Sequence, residues 1–404
     1  MIQQIIHRFL LRRHFWRHAT FSEIAELYAS RLMTMFALRF VMVFASVYLY
    51  KLEYSLVFIA LFWAAFYLLK IVFVAPAALI AARIGPKHGL FIANVILGVS
   101  LMFLYFSADV GIAAIVVWCI LQAFGAELNS LCYQIDFSKV KHTDHAGKEI
   151  GFMTIIEKIA QGASPVLGGV VAALFGPTSA MLLSVVMFLL SAAPLLRTAE
   201  PTKIHQHISF KGFPWSQHWR SLRACVGLGA DVFASTNAWV MFVTIVVFVG
   251  DGNEIYAKIG ALASIGVVVA LLASYLFGRL IDGRQGLLLL RSMVYFNSFV
   301  HIMRPTITTP LGVLISNSMN DVATTGYNMA FTRGIFDSAD TPGYRIAYLA
   351  LVEAFANFGA AIAALSLAAL IAALGSVNGL TLFFVYIAMF TLLIASARFP
   401  LYRR

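Results

Sequence analysis

Four carboxylates lie well inside long apolar stretches of this sequence, where an ionised side chain is costly: Glu127, Glu157, Asp321 and Glu353. An acid at the centre of a membrane helix opposes insertion by about 2.5 to 3.5 kcal/mol unless it is paired or hydrated. A carboxyl group in a poorly hydrated cavity can take a proton from one side and release it to the other. We therefore expect Glu127 and Asp321 to be the first candidates for proton coupling or for binding a cationic group, with Glu157 and Glu353 second.

Four basic residues lie in the same stretches: Arg31, Arg39, Lys70 and Lys158. Arg39 is placed to pair with Glu127 or to bind an anionic solute. The alternative for the acids is structural: Glu127 pairs with Arg39, and Glu157 or Glu353 with another basic or amide group, only to stabilise packing. The two lysines are expected to snorkel or to pair.

The composition identifies the chain as an integral membrane protein. Of its 404 residues, 61% are hydrophobic and only 12% are charged. Stretches of about 20 apolar residues span the hydrocarbon of a bilayer, and they must be helical because no sheet edge can stand in lipid. Twelve such stretches are predicted, at residues 22–50, 54–81, 88–107, 110–137, 149–175, 178–197, 222–249, 256–278, 286–303, 310–332, 345–374 and 379–398.

The net charge of +11 follows this topology and does not indicate a nucleic-acid partner. Of the 29 Lys and Arg residues, 22 fall on one side of the predicted spans, and only Lys51, Lys258 and Arg304 fall on the other. The positive-inside rule then places both termini in the cytoplasm, which requires an even number of spans. We expect a multi-pass protein of the cell membrane, which is the inner membrane in a cell that has two membranes.

An internal repeat divides the chain into halves. The segment "ELNSLCYQIDFSK" (127–139) matches "DVATTGYNMAFTR" (321–333), and "GKEIGFMTIIE" (147–157) matches "GYRIAYLALVE" (343–353). The offsets are 194 and 196 residues, which indicates two parallel six-helix halves. The predicted parts are an interfacial N-terminal segment at 1–21, a first bundle at 22–197, a cytoplasmic loop at 198–221 and a second bundle at 222–404.

Polar stripes accompany two of the acids. Ser130 and Gln134 follow Glu127 at helical spacing, and the tenth predicted helix carries a similar stripe of Asn317, Thr324 and Asn328. Asn237 in the seventh helix is a further polar residue of this kind. We expect these side chains to line a solute path near the middle of the membrane.

Three short motifs accompany the twelve spans. The connector "ALIAARIGPKH" holds Arg83 and Gly85, and its counterpart "GRLIDGRQG" holds Gly278, Asp282 and Arg284. The fifth predicted helix reads "SPVLGG", with Pro165, Gly168 and Gly169. Together with the topology, these motifs resemble those of the major facilitator superfamily of secondary transporters, although Ala82 stands where that family has an aspartate.

The resemblance implies an all-α integral membrane fold with twelve transmembrane helices in two pseudo-symmetric bundles. It also implies that helices 1, 4, 7 and 10 line an inner cavity. Gly278 and Asp282 lie one turn apart, where an acid can latch the cytoplasmic side, and the glycines beside Pro165 suit close helix packing. For Pro165, Gly168 and Gly169, the alternative is a role in helix packing alone.

These observations predict a secondary transporter that works by alternating access, coupled to protons and moving a small organic or amphipathic solute, with export slightly favoured. A nutrient-uptake symporter, a lysolipid flippase and a non-transporting receptor or scaffold remain alternatives. We expect a monomer that contacts lipid, a solute and protons, and no enzyme activity, cofactor or metal site. No nucleotide-binding loop, nucleophile–base pair or zinc motif is visible in the sequence.

Overall fold

Long apolar stretches separated by short connectors form helices in the computed structural model of this chain. The structure describes residues 21–140, 146–196, 208, 210–250, 252–282, 285–339 and 344–403. No β-strand occurs in these residues, so the predicted all-α class is confirmed. The predicted interfacial segment lies outside the described residues, apart from Phe21, at which the first helix begins.

Twelve long helical segments make up most of the described residues. The first is broken for two residues, and the seventh passes through one π-helical turn at Ala234–Ala238. We label them α1 (Phe21–Met42 and Ala45–Lys51), α2 (Leu56–Ile84), α3 (Pro86–Tyr105), α4 (Ile112–Val140), α5 (Ala146–Phe175), α6 (Pro177–Ala192), α7 (Trp215–Phe233 continuing to Trp239–Val246), α8 (Glu254–Asp282), α9 (Gly286–Met303), α10 (Pro310–Ala339), α11 (Arg345–Leu374) and α12 (Ser376–Thr391).

Eleven segments in the described residues are long and apolar enough to cross a membrane. The exception is α10, which has 30 residues but carries Asn317, Asn320, Asp321 and Asn328 among other polar groups. Its length suits a spanning helix, and its polarity is tolerable because many of these side chains face protein or a cavity.

The central loop is shorter than the predicted 198–221, because α7 already begins at Trp215. Its first turns pack against the second half: the His218 ring lies 4.6 Å from that of Tyr348, and Trp219 lies 5.9 Å from Phe355. Burial of one face on α11 keeps this polar stretch helical.

The two sets of six helices have corresponding neighbours. In the first set, α1 packs on α5 and α6, α2 on α4, and α3 on α4 and α6. In the second, α7 packs on α11 and α12, α8 on α10, and α9 on α10 and α12. The sets meet where α2 packs on α11 and where α5 packs on α8. The internal repeat relates α2 to α8 and α5 to α11, so these two contacts correspond to each other. This arrangement agrees with the repeat predicted from the sequence.

Glycines allow the close approach of α5 to α8. A methyl group at Gly169 would overlap the carbonyl oxygen of Tyr256, and one at Gly260 would overlap that of Pro165. On its other side, α5 places Gly168 against the backbone of Phe40 in α1. The backbones therefore touch at points that larger side chains would hold apart.

Candidate functional site

A cavity of about 540 Å³ lies between the two sets of helices, large enough for a small organic molecule. Its wall is built by α1, α2, α4 and α5 from one set and by α7, α8 and α10 from the other. Aromatic side chains contribute to it, among them Trp63, Tyr67 and Trp239. The charged side chains of the described residues in this wall are Arg39, Glu157, Lys158, Asp231 and Asp321.

Glu157 on α5 and Asp321 on α10, which we call the cavity acid pair, each have a base beside them. Arg31 Nη2 lies 2.6 Å from Glu157 Oε1, and its guanidinium lies over the ring of Tyr133 at 3.8 Å. Lys158 Nζ lies 3.6 Å from Asp321 Oδ1. The Asp321 side chain is 23% exposed, so a molecule in the cavity can reach it.

Arg39 on α1 lines the same cavity. Within the part of the chain that the structure describes, no acid pairs with it and its buried Nε has no hydrogen-bond partner. The expected alternative pairing of Arg39 with Glu127 is not formed, because Glu127 contacts Lys70 instead. The donors of Arg39 are thus free to meet a molecule in the cavity.

Glu127 on α4 and Glu353 on α11, which we call the buried acid pair, lie outside the cavity wall. Lys70 Nζ on α2 lies 3.4 Å from Glu127 Oε2 and 4.0 Å from Glu353 Oε2. Asn357 Nδ2 donates to Glu127 Oε2 at 2.9 Å, while Oε1 has no hydrogen-bond partner among the described residues. The Glu127 side chain is 0% exposed. Two carboxylates from opposite halves therefore share one ammonium group.

The stripe of α4 faces α11 and not the cavity. Ser130 Oγ donates to Glu353 Oε1 at 2.6 Å, and Gln134 Nε2 donates to the same oxygen. Neither side chain belongs to the cavity wall, contrary to the sequence-based expectation. Helical spacing establishes that residues share a face, but the neighbouring helix decides what that face meets. The other expected residues do lie in the wall, namely Asn237, Asn317, Thr324 and Asn328.

A second polar network surrounds Asp231 on α7, a residue that was not singled out from the sequence. Asp231 accepts hydrogen bonds from Asn297 Nδ2 at 2.7 Å and from the Tyr327 hydroxyl, and His301 Nε2 lies 2.5 Å from its Oδ1. Arg304 Nη1 lies 3.1 Å from His301 Nδ1. Because arginine can only donate, Nδ1 accepts, and we assign the histidine proton to Nε2, facing Asp231.

Two signals could have revealed this network. Asp231 lies inside the predicted span 222–249, and Asn297 and His301 are four residues apart on one helical face. Because Arg304 lies in a predicted connector, the sequence places it on the outer side of the membrane. In the structure its side chain is buried, 0% exposed, over the ring of Trp239 at 4.8 Å. The cost of burying the Arg304 charge is offset by the charge of Asp231 and by the face of the Trp239 ring.

Among the motif residues that the structure describes, only Pro165 lies in the cavity wall. Arg83 is exposed at the end of α2, and Gly85, with φ of 96°, forms the sharp turn into α3. Gly278 is buried in α8. The side chain of Asp282 and the whole of Arg284 lie outside the described residues, so the latch expected there stays a prediction.

Comparisons with known proteins agree with this architecture. The family model of the Major Facilitator Superfamily matches residues 27–339. No curated protein matches the chain by sequence. Among solved structures, the human organic anion transporter MFSD10 (TETRAN) has a TM-score of 0.70 at 9% identity, with 92% of this chain and 98% of that chain covered.

Two bacterial structures are also similar. A variant of the E. coli fucose:proton symporter FucP has a TM-score of 0.63 at 13% identity, covering 94% of this chain and 100% of that one. A bacterial homologue of the iron transporter ferroportin, outward-facing with soaked iron, has a TM-score of 0.66 at 12% identity, covering 93% and 98%. At such identities these likenesses establish the fold alone.

Proposed function

The chain belongs to the Major Facilitator Superfamily and is a multi-pass secondary transporter, and we propose that it couples the movement of a small organic solute to protons. One observation carries the proposal: Glu127 and Glu353, on opposite halves, share the single ammonium group of Lys70. The solute binds in the cavity between the halves, and the proton binds to the buried acid pair.

The charge of the buried acid pair gives the reason for proton binding. With both carboxylates ionised, the cluster with Lys70 carries one excess negative charge in surroundings that hold little water. One proton on either carboxyl group makes the cluster neutral. Because Glu127 Oε1 has no donor among the described residues, its carboxyl group is poorly solvated as an anion.

The position of the pair gives the reason for coupling. Glu353 on α11 contacts Lys70 and Ser130 of the first half, and Asn357 on the same helix contacts Glu127. Alternating access requires the halves to move against each other, so these contacts must break. A proton that neutralises the pair lowers the cost of breaking them, and hydration of the separated groups favours its release. Proton occupancy and conformation are thereby linked.

Infrared spectroscopy of the reconstituted protein tests the proton site without a solute. Acidification should produce the C=O stretching band of a protonated carboxyl group in a low-polarity site. We expect this band to be lost in both Glu127→Gln and Glu353→Gln, because each variant leaves one carboxylate beside Lys70 and the cluster is then neutral without a proton.

Glu254→Gln is the matched control, because this carboxylate lies in the first turn of α8 with an 82% exposed side chain. The band should be unchanged in this variant. If it persists unaltered in both Glu127→Gln and Glu353→Gln, the proton binds elsewhere and the proposal fails.

A further inference from the structure

We propose that the cavity selects organic anions, specifically carboxylates with an apolar or aromatic body, and that Arg39 binds the carboxylate. This inference rests on the proposed function in one respect, namely that the cavity between the halves is the solute site. It adds the chemical class of the solute, which the proton site does not determine.

The first argument is the balance of charges in the wall. Each acid already has its own partner: Glu157 has Arg31 at 2.6 Å, and Asp321 has Lys158 at 3.6 Å. Asp231 is surrounded by donors, with the charge of Arg304 one step beyond His301. When Arg31 and Arg304, which lie outside the wall, are counted with the wall residues, four basic groups meet three acids and one positive charge is left over.

That excess charge is Arg39. No acid lies within ion-pair distance of it in the described parts of the chain, and its buried Nε has no hydrogen-bond partner there. An unpaired cation in the middle of a membrane protein is costly to fold, and such residues commonly mark a solute path. A guanidinium group presents a planar fork of donors that matches the two oxygens of a carboxylate.

The second argument is the shape and chemistry of the remaining wall. The aromatic rings of Trp63, Phe66, Tyr67 and Trp239 line the cavity with Met42. Trp239 is held by a hydrogen bond from Nε1 to Asn317 Oδ1 at 2.7 Å, which fixes its ring in the wall. Rigid aromatic faces favour a flat apolar body over a densely hydroxylated solute. The volume of about 540 Å³ accommodates one such molecule.

A purely compensating role for Arg39 is the competing explanation. In that case its charge would stabilise Glu157 and Asp321 at longer range, and its removal would destabilise the protein. An anion-binding role predicts the opposite in the absence of solute. Replacing an unpaired buried cation should leave the melting temperature unchanged or raise it.

Isothermal titration calorimetry of the purified protein with matched probes tests the proposal. The probes are indole-3-acetate, 2-naphthoate and octanoate, each compared with its neutral amide of nearly equal size. We expect at least one carboxylate to bind at least about tenfold more tightly than its amide, the difference given by one charge-assisted interaction. Arg39→Gln should abolish this preference, and Arg39→Lys should retain part of it.

Arg220→Gln is the control, since this arginine is exposed at the start of α7 and outside the cavity wall. It should bind the carboxylates like the original protein. Equal affinity for carboxylates and amides, unchanged binding in Arg39→Gln, or no binding of any carboxylate at millimolar concentration would overturn the assignment. A lower melting temperature of Arg39→Gln without solute would favour the compensating role and also overturn it.

The infrared measurement on the same preparations separates the two proposals. Loss of the carboxyl band in Glu127→Gln without carboxylate selectivity refutes the anion assignment alone. Selectivity that depends on Arg39, with an unaltered band, refutes the proton site alone.

Discussion

The buried acid pair and the cavity acid pair occupy corresponding places in the internal repeat, yet their surroundings differ. Glu127 and Asp321 stand 194 residues apart, and Glu157 and Glu353 stand 196 apart. Each pair therefore takes one acid from each half. The pair at α4 and α11 is shielded from the cavity, whereas the pair at α5 and α10 lines it.

The difference arises from the bases and not from the acids. Helix α2 supplies Lys70 to the buried acid pair. Its counterpart α8 presents Gly266 to the cavity acid pair, and a methyl group there would lie 2.5 Å from Asp321 Oδ2. The cavity pair instead takes its bases from α1 and α5, with Arg31 and Lys158. In the function proposed above, unequal cations give this duplicated set of acids two roles: proton binding for one pair and solute contact for the other.

Removal of the lysine from each pair should give the largest contrast. Lys70→Met leaves two buried carboxylates with only hydroxyl and amide donors, at an expected cost of about 3 to 5 kcal/mol. Lys158→Met leaves Asp321, 23% exposed in the cavity, where water can solvate its carboxylate, at a smaller expected cost of about 1 to 2 kcal/mol. Melting temperatures of the purified variants at neutral pH measure the contrast.

The triple variant Glu127→Gln, Lys70→Met and Glu353→Gln provides the control, since it contains neither the acids nor the base. It should recover most of the stability lost in Lys70→Met. Equal losses in the two single lysine variants would show that the pairs have equivalent surroundings, and the comparison would fail.

Variants of the two pairs should also lose different parts of indole-3-acetate transport by proteoliposomes. Glu353→Gln should abolish accumulation driven by a pH gradient while exchange of labelled for unlabelled solute continues. Asp321→Asn should keep the gradient response and lower the KM by about fivefold, because it frees Lys158 to face the anion and such a pair is worth up to ~1 kcal/mol. If Asp321→Asn lost gradient-driven accumulation and Glu353→Gln kept it, the proton would bind to the cavity acid pair and the proposed roles would be reversed.

The smallest effect is expected at the glycine that distinguishes the two sites. Gly266→Ala should displace the Asp321 carboxylate, the flexible end of a side chain, and also press on the α10 backbone at Asn317 and Ser318, 3.2 Å from the added methyl group, at a cost of about 1 kcal/mol in stability. Its measurable effect should be a severalfold change in carboxylate affinity by calorimetry. Gly252→Ala is the matched control, because no atom lies within 4 Å of the added methyl group. Similar affinities in both variants would mean that Asp321 does not contact the solute.

Much of the fold could be predicted because hydropathy, charge placement and the repeat all report on the same topology. The acids of both pairs were also found, since a carboxylate inside an apolar stretch needs a reason, although Asp231 was overlooked. Their partners could not be found in this way. A pair of Glu127 with Arg39 was one of two alternatives, but Glu127 contacts Lys70, because the contact depends on how α4 packs against α2 and not on either helix alone.

The same limit applies to residues whose surroundings override their position in the sequence. Arg304 follows α9 in a connector yet is buried, because ring faces and the Asp231 network receive it. Helix α10 was predicted over 310–332 and extends to Ala339, although its polar side chains keep it below the hydropathy of the other eleven segments. Ser130 and Gln134 share the face that periodicity indicates, but α11 covers that face.

The π-helical turn at Ala234–Ala238 gives α7 an unusual sensitivity to chain length. One extra residue in a helical turn rotates everything beyond it by about 100°, since an α-helix has 3.6 residues per turn. The side chains of Trp239 and Val243 therefore enter the cavity wall only with this residue present. A single-residue deletion would restore regular winding and turn them away, changing the lining without changing a side chain. Related chains that differ here by one residue would recognise different solutes on the same scaffold.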